Sequence, residues 1–227
     1  MVHQMLLPAG MNTRLALLFG CLTLTGAAQA EGLDFSWGVK AGIPITDAFE
    51  TARGNSAAYV SNTQRYTIGP TVEFHISRFS IEADALYNRL GFDNTFAGPA
   101  GSTTFEGTRA DSWVFPVLGK FEILPGPIRP FVDAGASFRH ISGVSQVRSA
   151  LSAGTFGLVT IDNPAEFNKR TDIAFTFGGG IAFKAGPVRI SPEFRYNRWG
   201  GENFRDPINA LLQTSRNEGV FLLGLTF

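Results

Sequence analysis

The sequence predicts an all-β protein, an eight-stranded antiparallel up-and-down transmembrane β-barrel. Three observations carry that expectation. Eight stretches, each about eleven residues long, alternate apolar side chains with small or polar ones, the period-two repeat of a strand with unlike faces. The connections between them are alternately short and long, as in a barrel with turns at one rim and loops at the other. After residue 30 no apolar run approaches the ~20 residues of a membrane helix.

The chain opens with a leader pattern. Asn12, Thr13 and Arg14 precede an apolar run from Leu15 to Leu24, and "AAQA" supplies a small-residue cleavage site before Glu31. A signal peptide is therefore expected over 1–30 and the barrel over 31–227, with Met1 and Met11 both fitting as the start. Removing the leader removes Cys21, the single cysteine, and leaves a chain that neither needs nor risks disulfides on export.

The strands then follow in order. "FSWGVKAGIPI" (35–45) sets Phe35, Trp37, Val39, Ile43 and Ile45 on one face and Ser36, Gly38 and Lys40 on the other. "RYTIGPTVEFHI" (65–76) opposes Tyr66, Ile68, Val72, Phe74 and Ile76 to Arg65, Thr71, Glu73 and His75. "FSIEADALYN" (79–88) opposes Phe79, Ile81 and Tyr87 to Ser80, Glu82 and Asp84. "SWVFPVLGKFEI" (112–123) is noisier, with Trp113, Phe115, Val117 and Phe121 against Lys120 and Glu122. "PFVDAGASFRH" (130–140) places Val132 and Phe138 opposite Asp133 and Arg139. "DIAFTFGGGIAFK" (172–184), "VRISPEFRYNRW" (188–199) and "GVFLLGLTF" (219–227) complete the set. Pro44, Pro70, Pro116 and Pro192 fall inside these segments, where each removes a ladder donor and predicts a bulge or a shortened strand.

A strand of about eleven residues at ~3.3 Å rise, tilted by roughly 45°, covers about 25 Å, the height of an outer membrane's apolar band. A soluble lipocalin-like binder would show the same alternation turned inside out. The polar face, however, is rich in Gly, Ser and Ala and poor in Lys, which suits a crowded lumen better than a solvated wall. Aromatics mark both ends of the apolar face: Phe35, Phe74, Phe79, Phe121, Phe131, Phe183 and Phe227 near the short turns, and Tyr66, Tyr87, Trp113, Phe138, Phe175 and Tyr196 near the long loops. Two aromatic belts are what the two interfaces of a bilayer favour.

On "FPVLGKFEI", "RPFVDAGASF", "SPEFRYNRW" and the terminal strand, the chain resembles the outer-membrane protein β-barrel domain family, the small bacterial barrels related in form to OmpX and to the transmembrane domain of OmpA. The resemblance implies residence in the bacterial outer membrane. It also implies contact with outer-membrane lipid and lipopolysaccharide, and recognition by the outer-membrane assembly machinery through Phe221, Leu223, Leu225 and Phe227. A monomer is expected.

Inward parity gathers a candidate lumen ion-pair network: Lys40, Glu73, Glu82, Asp84, Lys120, Glu122, Asp133, Arg139, Lys184, Arg189, Glu193 and Arg195. The near balance of signs fits mutual pairing, because an unpaired buried charge is costly. The expected role is therefore structural or interactive at the cell surface, with a plugged lumen; narrow porin-like passage of solutes or ions is the alternative. His140 and Ser142 resemble the His-x-Ser pair of outer-membrane lipid A deacylases, which implies a base and a nucleophile. The pattern departs at Gly143, where that family has Asn, and no Glu lies on the sixth segment, Glu166 in the preceding loop being nearest. The expectation is a protein without catalytic activity. No cofactor, metal or nucleic acid is expected: the formal net charge is +0, and His75 and His140 are the only histidines beyond the leader. The long loops, including "TFGLVTI" as a projecting hairpin, are left as the place for recognition.

Overall fold

The computed structural model of the protein describes residues 34–227 apart from Ser56, 99–101, 153–154 and 209. The expected signal peptide and the choice of start lie outside the described residues. Among the described residues no helix is long and apolar enough to cross a membrane.

β1 (Asp34–Pro44) alternates as its sequence does, with Phe35, Trp37, Val39 and Ile43 outward and Ser36 and Lys40 inward. β2 (Phe49–Thr51) and β3 (Ala57–Ser61) are short strands in the first long connection. β4 (Thr67–Ile76) turns at Ser77 and Arg78 into a stave made of two pieces, β5 (Phe79–Asp84) and β6 (Leu86–Ala97). The break at Ala85 faces Gly69 and Pro70. Ala85 donates its N–H to the Pro70 carbonyl at 3.0 Å, and a Cβ on Gly69 would lie 1.8 Å from the Ala85 carbonyl oxygen. The donor missing at Pro70 is thus absorbed as a local irregularity.

β7 (Thr103–Glu122) and β8 (Ile128–Ser152) run well beyond the segments read from sequence, and β9 (Thr155–Asp162) folds back along the end of β8. β10 (Thr171–Ala185), β11 (Val188–Trp199), the short β12 (Leu212–Thr214) and β13 (Asn217–Thr226) complete the chain. The extension of β7 and β8 passes a bulge where pairing shifts between Arg109 and Asp111. Gly143 sits there at φ 57, a left-handed conformation that glycine adopts without a Cβ penalty. A Cβ there would also lie 2.8 Å from Asp111 Oδ2, so the Asn of the deacylase pattern would crowd that carboxylate.

Eight staves close into a ring: β1, β4, β5 with β6, β7, β8, β10, β11 and β13, each antiparallel to the next. The seam is β1 on β13, from Gly38 opposite Thr226 to Pro44 opposite Val220. Closure leaves the apolar terminal strand with a partner on both sides. The outer wall is apolar in the middle, with large side chains such as Ile68, Val117 and Phe177 about half exposed. Phe131 is the exception among the expected belt residues. It is only 2% exposed and lies inside the barrel, because Val132 takes the outward position on β8.

Candidate functional site

The lumen fills in layers from the short-turn rim to the long loops. Lowest, Ser36 and His75 share a hydrogen bond of 2.8 Å, and Arg189 donates to the His75 ring at 3.1 Å. Glu122 accepts from Arg129 at 2.8 Å, with Arg189 at 3.9 Å. The next layer is a continuous ion cluster. Lys40 reaches Glu193 at 2.8 Å and Asp84 at 3.7 Å, and also contacts Glu82. Arg195 reaches Asp84 at 2.5 Å and also contacts Glu82 and Glu193. Lys120 reaches Glu82 at 2.8 Å and Glu73 at 3.2 Å, and stands 4.3 Å over the Phe131 ring. Phe131 thus serves the network from below, a role its neighbours in sequence gave no sign of.

Two predicted members stand apart. Lys184 is exposed near the β10–β11 turn and forms no ion pair among the described residues, because β10 has already left the lumen there. Asp133 is buried, yet neither carboxylate oxygen has a hydrogen-bond partner among the described residues. Lys120, opposite it on β7, is turned to Glu82 and Glu73 instead. The "GGG" run clears space beside it: a Cβ on Gly178 would sit 2.9 Å from Asp133 Oδ1, and one on Gly180 2.7 Å from Phe131 Cζ.

Above the ions lies an apolar stopper of Leu86, Val114, Ala174, Trp199, Val220 and Leu222. Arg139 lies 3.7 Å over the Trp199 ring, and Glu218 accepts from Trp199 Nε1 at 2.6 Å and from the Arg139 guanidinium. Higher still, all four long connections and the strand ends beside them meet in a second apolar core. Phe49 and Tyr59 come from the first, Phe92 from β6 at the second, Phe167 from the third, Phe204 and Leu212 from the fourth. β2 pairs with β12 across the top. This cap was not foreseen from sequence; its only trace there is single apolar residues scattered among polar loop positions.

The cap buries carboxylates. Tyr59 donates to Glu166 at 3.4 Å, and Glu106 accepts from Arg148 at 2.5 Å. Burial pushes the Glu166 carboxyl above its ordinary value of 4.5, and the charges of Glu106 and Asp206 push it the same way. A raised folded value means that the protonated form fits the cap better. The associated stability is complete below about pH 4.5 and is lost as pH rises through the folded value. Hydrogen exchange of residues 163–170, corrected for intrinsic rates, is expected to quicken from acid to neutral pH in the wild type and to stay level in Glu166→Gln. An unchanged pH dependence in that variant would show that another group governs the cap.

His140 and Ser142 sit on the outer wall of β8, His140 opposite Trp113 and Thr171 and Ser142 opposite Asp111. No hydrogen bond joins them among the described residues. Glu166 is committed to Tyr59 inside the cap, and the nearest outer carboxylate, Asp111, accepts from Tyr87 at 2.7 Å. The elements of a triad are thus not assembled. Nor do three His, Cys, Asp or Glu side chains converge on a metal position among the described residues.

No curated protein matches the sequence. Among solved structures, the chain is similar to Neisserial surface protein A at 12% identity and a TM-score of 0.38, covering 86% of this chain and 98% of that one. It is similar to Ail, the attachment invasion locus protein of Yersinia pestis, at 9% identity and a TM-score of 0.33, covering 86% and 99%. The N-terminal β-barrel domain of Pseudomonas aeruginosa OprF aligns at 11% identity and a TM-score of 0.29, covering 85% and 96%. The sequence profile described as outer membrane protein beta-barrel domain matches residues 27–200. With that match over most of the chain, and a closed ring of eight staves whose outer wall is apolar, the protein belongs to the outer membrane protein β-barrel domain family and resides in the bacterial outer membrane.

Proposed function

We propose that this protein is a monomeric, closed barrel that serves the outer membrane structurally and presents its cap for interaction at the cell surface, without passing solutes and without catalysis. The observation that carries the reading is the succession of blocks along one axis: the ion cluster around Arg195, the stopper around Trp199, and the cap around Phe204. A water-filled channel needs a wider barrel than eight strands supply. Lys40, Glu82, Glu193 and Arg195 hold one another across the lumen and leave no free charge ladder for an ion to follow. Its partners on this reading are the lipid and lipopolysaccharide around it and the machinery that inserts it.

Planar bilayer recordings of the refolded chain are expected to show no unitary conductance at neutral pH. Reproducible steps that scale with the amount of folded protein would overturn the closed reading. Incubation with lipid A is expected to release no fatty acid, and His140→Ala to change nothing. Release that disappears in that variant would restore the hydrolase.

A further inference from the structure

The outer wall carries a feature that a closed barrel does not require. At the long-loop end, between β8 and β10, opens a groove of about 600 Å³. Phe115, Phe138 and Ile173 form its apolar part, with His140, Lys169 and Gly200 on its polar rim. The three apolar residues are cross-strand neighbours on the outward face, Phe115 opposite Phe138 and Phe138 opposite Ile173. On β8 and β10 they end the apolar band, since the next outward positions there are His140 and Thr171, while on β7 the belt residue Trp113 follows Phe115. The groove therefore straddles the level at which acyl chains give way to headgroups.

Two arginines lie outside its lining, on the β11 side of β10. Arg198 lies opposite Phe175, the next outward residue below Ile173, and its guanidinium donates to the Asn217 side-chain carbonyl. Arg216 donates to the carbonyl of Gly200 at 2.9 Å and to that of Trp199 at 3.4 Å, so it touches a residue of the groove's lining, Gly200, without lining the groove itself. Both are exposed, and neither meets a carboxylate among the described residues. Lys169, by contrast, is paired with Asp172 at 2.8 Å, so its charge is already answered. Two guanidiniums held by neutral acceptors on the strands next to an apolar groove leave a double positive charge without a carboxylate partner at headgroup height. Guanidinium forks are suited to phosphate oxygens.

We propose that this groove seats one phosphorylated lipid of the outer leaflet, an acyl chain against Phe115, Phe138 and Ile173 and a phosphate on Arg198 and Arg216. The site deepens the surface-interaction reading above and rests on it. It also gives the exposed His140 a place at the rim of a lipid seat, with no hydrolytic role.

The test is native mass spectrometry of the refolded full chain in detergent, titrated with bis-phosphorylated lipid A, with chemically dephosphorylated lipid A, and with inorganic phosphate as competitor. The wild type is expected to retain one phosphorylated lipid. Arg198→Gln with Arg216→Gln, which keeps hydrogen-bonding amides but removes both charges, is expected to bind at least about tenfold more weakly, the effect of losing a charge-assisted hydrogen bond. The dephosphorylated lipid should bind the wild type as weakly as the double variant binds lipid A. Phe138→Ser, which spares both arginines, should also weaken retention. Equal retention by wild type and double variant, or indifference to dephosphorylation, would overturn the proposal. Displacement by millimolar inorganic phosphate would overturn it too, by showing a phosphate site in place of a lipid site. Heat-modifiable migration verifies that each variant is folded, and conductance of the same preparations tells failure of the closed-barrel reading from failure of this one.

Discussion

Arg195→Met is expected to destabilise the folded barrel by about 3–5 kcal/mol, the range for removing one partner from a buried ion cluster. Arg195 is 1% exposed and answers three carboxylates, Asp84 at 2.5 Å together with Glu82 and Glu193. Without it, Lys40 and Lys120 remain against Glu73, Glu82, Asp84 and Glu193, with lipid rather than water beyond the wall. The cost is that of stranded anions, not of the lost attraction, so removing charge on both sides should behave differently. Arg195→Met combined with Glu193→Gln is expected to recover part of the loss. Urea unfolding in lipid vesicles, followed by tryptophan fluorescence, measures both variants. A single-variant loss below about 1 kcal/mol, the worth of an exposed pair, would mean that water reaches the cluster and that the lumen is not sealed.

Trp199→Ala is expected to cost a similar amount, about 3–5 kcal/mol, by a different route. The Trp199 side chain is fully buried and is the largest member of the stopper, so truncation leaves a cavity between rigid strands that cannot collapse onto it. It also takes the ring from beneath Arg139 at 3.7 Å and the donor from Glu218. Trp199→Phe keeps much of the volume and loses the N–H, and its expected cost is smaller. The same vesicle unfolding assay compares them. If alanine and phenylalanine cost the same, the hydrogen bond to Glu218 matters more than the filled space.

Much of the barrel was legible because the bilayer imposes a rule on every second residue. Val39, Ile81, Val117 and Phe177 announce an outward face wherever they fall, and Lys40, Glu82 and Arg195 announce the inside. The rule lapses beyond the headgroups. Above them both faces of a strand tolerate polar side chains, so Arg109, Asp111 and Ser145 gave no sign that β7 and β8 continue. The bulge at Gly143 then shifts the pairing against which parity would be read. The cap was illegible for another reason. Phe49, Tyr59, Phe92, Phe204 and Leu212 are each isolated in sequence and become neighbours only when the ring brings all the loops to one rim. Inward parity likewise supplied the members of the ion cluster but not their pairings. It could not say that Asp133 would be left without a partner, or that Phe131 would lie beneath Lys120.

The seam between β1 and β13 has a consequence for how the molecule can be made. Lys40, on the first stave, meets Glu193, on the seventh, across 153 residues of sequence, and the two staves are neighbours of the last one, on opposite sides. Until that last stave is in place there is no cylinder, and Lys40 and Arg195 do not share an interior. In a sheet still open, Lys40 keeps Glu82 and Asp84 on the third stave but lacks Glu193. Arg195 keeps Glu193 on its own strand but lacks Glu82 and Asp84, so the cluster is split into halves that are costly to carry into hydrocarbon. The two halves of the cluster meet only when the circuit is complete, so the charge balance of the interior favours the closed ring over a half-finished cylinder.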